Sequence, residues 1–236
     1  MTADNHTVWS EVAWVSVTSP TNKDFLQGYL TCDTARLSDD SLIPMAICNI
    51  QGRVVASGWA LGASAELTLL LVHTTLKDRV VEFLTPYARF ARVQVEPEQQ
   101  PVHLGSSGAK IYDRFVTLPN SQASLPDSST DVSETLRRAM VEDQFALVSA
   151  AVSEKYLPQM LNLHERAAVD FDKGCYLGQE VVARAQFRGA VKRTLVQFSW
   201  QGDRPEPGSK NTDGHIVICI ASSPEDAQSG IGLAVA

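Results

Sequence analysis

The sequence predicts an α+β fold built on antiparallel sheet. Two observations carry this reading. Apolar residues recur with the strand period in some stretches and the helix period in others. The resulting order along the first part of the chain is strand, helix, three strands, helix, strand. Helices thus alternate with hairpins and not with single parallel strands, which points to a split β-α-β arrangement and away from a doubly wound parallel sheet.

Each element has a local reason. Residues 12–18, Val-Ala-Trp-Val-Ser-Val-Thr, read as a strand that ends before Pro20. Thr21-Asn-Lys-Asp24 resembles a capping box with Asp in place of Glu, and Phe25, Leu26, Tyr29 and Leu30 then share one helical face. Residues 44–50 and 53–61 read as two strands joined by a tight turn at Gln51-Gly52. Glu66 to His73 alternates poorly but is rich in Leu and Val, as a buried strand is. Thr75 can cap a helix that carries Leu76, Val80, Phe83 and Leu84, with Pro86 limiting its end, and a strand at 89–95 follows. Residues 119–131 are dense in turn formers and read as a linker. A helix at 132–142 turns Leu136, Met140 and Val141 inward. Residues 158–170 show no single period. From Gly178 the chain can form two helical turns, and strands are expected at 191–200, 215–221 and 230–236. The domain expectation is a first α+β portion at 1–118, the linker at 119–131, a second α+β portion at 132–194 and a short C-terminal β domain at 195–236.

Composition narrows the function. The formal net charge of −7 argues against indiscriminate nucleic-acid binding. No apolar run approaches the ~18 residues of a membrane span, and residues 1–6 lack a signal-peptide pattern, so a cytoplasmic location is expected. The four cysteines, Cys32, Cys48, Cys175 and Cys219, form no C-x-x-C pair, so no metal site is expected and three of them read as small core residues. Gly105 to Lys110 lacks P-loop spacing, and there is no G-x-S-x-G, H-E-x-x-H or G-x-G-x-x-G. The histidines read as packing or turn residues, and Asp39-Asp40 as solvated.

One stretch stands apart, FDKGCYLGQEVVARAQFRG at 171–189. Gly174 and Gly178 allow sharp bends. Cys175 then falls near a helix N-terminus, whose dipole, with Lys173 nearby, favours a thiolate; the bland alternative is a small residue in a tight turn. Arg184, Arg188, Lys192 and Arg193, with Phe187 among them, read either as a clamp for carboxylates or phosphates or as a solvated face.

This stretch closely resembles the signature of the YgfZ-type folate-binding proteins, relatives of the glycine-cleavage T-protein, an aminomethyltransferase. Lys173-Gly-Cys-Tyr-Leu-Gly-Gln-Glu180 carries the match, with Val-Val-Ala-Arg184 and Phe-Arg-Gly189 after it. Three more stretches agree in order: Phe25-Leu-Gln-Gly-Tyr-Leu-Thr-Cys-Asp33, Cys48-Asn-Ile-Gln-Gly-Arg-Val54 and Leu157-Pro-Gln-Met-Leu-Asn-Leu163. The resemblance implies a cloverleaf of antiparallel sheets and helices around a central folate channel, plus a small β-barrel-like C-terminal domain, here reduced. It implies a tetrahydrofolate-binding accessory protein for assembly or repair of iron–sulfur proteins, indirectly supporting tRNA modification. Its partners would be iron–sulfur client proteins or assembly factors, with no membrane and no direct nucleic-acid binding.

In this picture Cys175 is a redox or transient cluster thiol, assisted by Lys173. Glu142 contacts the pterin, Arg184 and Arg188 hold the carboxylate tail, and Asp33 and Asn49 are further cofactor-binding candidates. With no second cysteine near Cys175, any iron–sulfur cluster is transient. The chain also departs from T-protein. Where that enzyme carries an acidic pair, this sequence has Val54-Val-Ala-Ser57, so a non-enzymatic accessory role is expected. Where T-protein has R-L-E-A-G, this chain has Met140-Val-Glu-Asp-Gln144 and keeps only the glutamate. Two alternatives stand beside this reading. One is a folate-dependent aminomethyl or methyl transferase with Asp33 as relocated acid; the other is an RNA-binding module on 184–193.

Overall fold

A computed structural model describes residues 7–105, 108–112, 114–119, 130–189 and 191–236. Its strands are β1 (Thr7–Val8), β2 (Val12–Thr18), β3 (Ile43–Cys48), β4 (Val54–Leu61), β5 (Leu67–His73), β6 (Gln94–Pro97), β7 (His103–Gly105), β8 (Ala109–Ile111), β9 (Arg114–Val116), β10 (Thr130–Asp131), β11 (Leu195–Gln201), β12 (Ile216–Ser222) and β13 (Ser229–Val235). The helices are α1 (Asn22–Gln27), α2 (Lys77–Ala91), α3 (Ser133–Glu142) and α4 (Gln179–Phe187). The class is the expected one, α+β with largely antiparallel pairing.

The chain divides into two compact units, each assembled from separated segments. One takes in Met1–Leu26, Thr34–Ile43 and Trp59–Ser133; the other takes in Gln27–Asp33, Pro44–Gly58 and Glu134–Ala236. One five-stranded sheet has the order β3-β4-β5-β2-β6.

In the first unit β2 pairs antiparallel with β5, from Val12 opposite His73 to Thr18 opposite Leu67. It also pairs with β6. Helix α2 packs against β2 and β6, and its Val80, Leu84 and Ala88 are buried. A second sheet, β10-β1-β7-β9-β8, is made of strands of two or three residues. Of the 105–110 stretch that lacks P-loop spacing, Gly105 ends β7 and Ala109 begins β8, while residues 106 and 107 lie outside the described residues.

Three local expectations are corrected. The residue that caps the turn before α2 is His73, not Thr75: its ring accepts the Thr75 amide at 3.2 Å, and a 3-10 turn at Thr74–Leu76 leads into the helix. Pro86 does not end α2, which runs on to Ala91 and stops at Arg92 with φ 56°. A proline inside a helix costs about 3 kcal/mol, and the buried face of Val80, Leu84 and Ala88 outweighs it. The strand expected at 89–95 is therefore shifted to Gln94–Pro97. Helix α1 is short, and Leu30 beyond it forms a bridge with Ile47. Most of the expected 119–131 linker lies outside the described residues.

The C-terminal part of the second unit is an open antiparallel sheet of order β11-β13-β12, with a bulge between Val217 and Cys219. The expected barrel is not closed among the described residues. Three strands cannot curl far enough for the first to meet the last. Trp200, Val217 and Ile220 form its buried cluster, with Phe198 against them.

Candidate functional site

The signature loop is fastened by a buried lysine. Lys173 is only 8% exposed. Its ammonium donates to the carbonyls of Gln27 at 2.9 Å, Leu30 at 2.6 Å and Cys32 at 2.8 Å, which uses all three of its protons. The same nitrogen lies 5.3 Å from the centre of the Tyr176 ring. Burial pushes its pKa down to about 8, against the opposing pull of Cys32, Asp33 and Asp170. Two amides complete the seam: Asp170 donates to the Thr31 carbonyl and Leu177 to the Gly28 carbonyl, each at 2.9 Å. The matched stretches 25–33 and 173–180 are therefore parts of one local structure.

A second seam joins the 48–54 stretch to the start of α4. Gly178 caps α4 with φ 82°, a conformation that side chains resist. A Cβ there would sit 2.2 Å from the Asn49 carbonyl oxygen. Gly52, at φ 70°, faces the Val181 side chain, which a Cβ would approach to 3.0 Å. Asn49 shapes this turn: its Oδ1 accepts the amides of Gln51 at 3.1 Å and Arg53 at 3.0 Å, and its Nδ2 donates to Glu154 at 3.0 Å.

Between these seams sits Cys175, the exposed cysteine, while Cys32, Cys48 and Cys219 are buried. A Cβ at Gly174 would meet nothing within 4 Å, so the backbone beside the thiol borders open space. Burial pushes the Cys48 thiol up to about 12, which leaves it inert. Burial likewise raises the Tyr176 phenol above its ordinary range, with Cys48 adding to the shift.

The cations cluster around α4. One groove of about 520 Å³ is rimmed by Arg53, Arg184, Lys192 and Arg193 over a floor that includes Leu157 and Met160. A second, of about 670 Å³, is lined by Glu180, Arg184, Phe187 and Arg188, among others. Phe187 is 71% exposed and meets Phe171 edge to face at 5.6 Å. Gln159, from the 157–163 stretch, donates to the Val182 carbonyl at 2.9 Å and holds that stretch to the helix.

The structure thus brings Lys173 and Cys175 into one loop, and places Arg184 in the last turn of α4 with Arg188 as the residue that caps it. Lys173 is engaged with backbone carbonyls. Asp33 accepts from Gln27 at 3.1 Å. Glu142 lies at the end of α3, largely exposed, 3.6 Å from Arg138, and it is not among the described residues lining either α4 groove. Ser57 is fully buried, donating to the Ala146 carbonyl at 2.6 Å and accepting the Val148 amide at 2.8 Å. The Ser57 hydroxyl is thus a structural one, committed to backbone partners. Arg53, Met160 and Tyr176 join these surroundings too, and their place inside the matched stretches 48–54, 157–163 and 173–180 is the one sequence signal that marks them.

No family model matches the chain. Curated relatives named tRNA-modifying protein YgfZ do match it. That of Cronobacter sakazakii is 28% identical, over 83% of this chain and 71% of its own length. That of Escherichia coli O157:H7 is 27% identical, over 83% and 72%. A Yersinia pestis protein of the same name is 29% identical, over 81% and 70%. Among solved structures, glycine cleavage system aminomethyltransferase T from Bartonella henselae superposes with a TM-score of 0.71, covering 98% of this chain and 78% of its own, at 12% identity. That likeness establishes the fold. No helix among the described residues is long and apolar enough to cross a membrane.

Proposed function

We propose that this chain, which is similar to proteins named tRNA-modifying protein YgfZ and has the T-protein fold, is a cytoplasmic, tetrahydrofolate-binding accessory protein for the assembly or repair of iron–sulfur proteins. The observation that carries this reading is the exposed Cys175 on a fastened loop, in a chain whose other three thiols are buried. Lys173 and Gly178 hold the loop from both sides, so the sulfur is presented without being sealed. An accessible cysteine sulfur can serve as a transient ligand for iron. One such thiol cannot hold a cluster permanently, and no group of three potential metal ligands is found among the described residues. In this reading the cluster is cargo of client proteins. The name of the relatives fits an indirect route, through iron–sulfur enzymes that modify tRNA.

For tetrahydrofolate, the tail end fits best. Arg184, in the last turn of α4, and Arg188, its C-cap, are both exposed, and forked guanidinium groups match carboxylate oxygens. Glu142, exposed at the end of α3, is the proposed acceptor for pterin N–H donors. Bound tetrahydrofolate would supply the reduced pterin chemistry. Aminomethyl transfer is disfavoured because the Ser57 hydroxyl is committed to backbone partners and supplies no carboxylate.

Titration of the full chain with tetrahydrofolate tests the pocket. Micromolar binding is expected, weakened about tenfold or more in Arg184→Ala/Arg188→Ala, as loss of charge-assisted hydrogen bonds requires. No binding by the parent removes folate from the account. Cys175→Ser should bind tetrahydrofolate normally yet fail to sustain iron–sulfur enzyme activities in cells. Unchanged activities would leave the thiol without a role.

A further inference from the structure

The groove beside α4 carries more charge than a thiol site or a folate tail explains. On a chain of net charge −7, four cations, Arg53, Arg184, Lys192 and Arg193, rim a single cleft of about 520 Å³. No carboxylate is among its described lining residues. The floor is aliphatic, from the half-buried Leu157, Met160 and Val191, with the more exposed Val181 beside them. A cleft of this size lies within the range that takes small ligands or a few side chains.

The walls are stiff. The Arg53 guanidinium donates to the Lys155 carbonyl at 2.8 Å. Val181 abuts Gly52, and Gln159 ties the Val182 carbonyl to the 157–163 stretch. A pre-formed cleft loses little conformational freedom on binding.

We infer that this cleft docks an acidic, amphipathic segment of a partner protein, with carboxylates on the cationic rim and apolar side chains on the aliphatic floor. The floor decides against RNA. Single-stranded nucleic acids are held by cations together with aromatic platforms for base stacking. The exposed aromatic ring of α4, Phe187, lines the other groove and not this one. Aliphatic floors with arginine-rich rims suit peptide side chains. The groove begins at the first turn of α4, and chain length alone places the Cys175 Cα within about 11 Å of the Gly178 Cα. A docked segment would therefore bring its protein beside the exposed thiol. The inference shares Arg184 with the tetrahydrofolate reading and otherwise stands apart from it.

Selection of a random 12-residue peptide display library on the full chain, then anisotropy measurements on the enriched peptides, tests it. Enriched peptides should interleave Asp or Glu with Leu, Ile or Phe, and their affinity should fall as salt rises. Lys192→Glu/Arg193→Glu should weaken them about tenfold or more, with circular dichroism and tetrahydrofolate affinity unchanged. Met160→Asp should do the same from the floor, which keeps the test open if one variant misfolds. The inference is overturned by no enrichment, by peptides without acidic residues, or by peptides indifferent to both variants. It is equally overturned if a single-stranded RNA oligonucleotide binds the groove more tightly than every selected peptide. Loss of tetrahydrofolate binding by the parent would sink the folate reading and leave this one standing.

Discussion

Lys173 shows how a residue read as a chemical helper can be a structural one. The sequence placed it two positions from the thiol, which suggested electrostatic assistance. In the folded chain its three protons go to the carbonyls of Gln27, Leu30 and Cys32. Burial lowers its pKa to about 8 from the ordinary 10.5, so the folded state releases this proton more readily than the unfolded chain. Between those two values the unfolded state binds more protons, and stability must rise with pH across the window. The gain is complete above 10.5 and is lost as pH falls through 8. Lys173→Met should be less stable than the parent at neutral pH, since three buried carbonyls lose their donor, each at a cost of about 1–3 kcal/mol at most. The stability gap between parent and variant should then widen from pH 8 to pH 10. Urea unfolding at several pH values measures both effects. A gap that stays flat over that range would show that the amine is not desolvated.

At the scale of elements, the two glycines that seat α4 make the sharpest claim. Gly178→Ala forces a side chain into φ 82° and drives its Cβ to 2.2 Å from the Asn49 carbonyl oxygen. The strain and the clash together should cost about 3 kcal/mol. Gly174→Ala, four residues earlier in the same signature, meets open space and should change stability by no more than about 0.5 kcal/mol. Denaturant midpoints of the two variants check this contrast, and equal losses would refute it. The contrast also shows what was legible. β2, β5 and β12 could be read because their patterns are local and long enough to count. β7, β8 and β9, at three residues each, are too short to show a period. Pro86 misled because the burial that overrides it is tertiary. Motifs 48–54 and 173–180 were legible one by one. Their meeting was not, because it depends on Gly52 and Gly178 being small at a contact between segments far apart in sequence.

At the scale of the molecule, the compact units interleave along the chain, so contiguous boundaries do not express them. The second unit draws on Gln27–Asp33 and Pro44–Gly58 as well as the C-terminal half, and a sequence pattern has no means of marking that borrowing. Within that unit the open C-terminal sheet is fastened to α3 by charge. Glu134 accepts the Ser222 amide, Arg137 at 2.7 Å and Arg204 at 3.2 Å. Arg138 donates to the Ser222 carbonyl at 3.0 Å. Burial alone would raise the Glu134 pKa, but the Ser222 amide and the two arginines outweigh it and hold the carboxyl below its ordinary 4.5. The stability this gives is fully present above 4.5 and is lost as pH falls through the lowered folded value. Glu134→Gln keeps the shape of the side chain and removes the charge. Because the site is partly open to solvent, which screens the pairs, the expected loss at neutral pH is on the order of 1 kcal/mol. Amide hydrogen exchange should quicken in β12, next to the lost anchor, and stay unchanged in β2. As pH drops below 4.5 the parent should lose its advantage and the two proteins should converge. If exchange in β12 is indifferent to the substitution, the sheet is held by its apolar cluster of Trp200, Val217 and Ile220, and the charged anchor is dispensable.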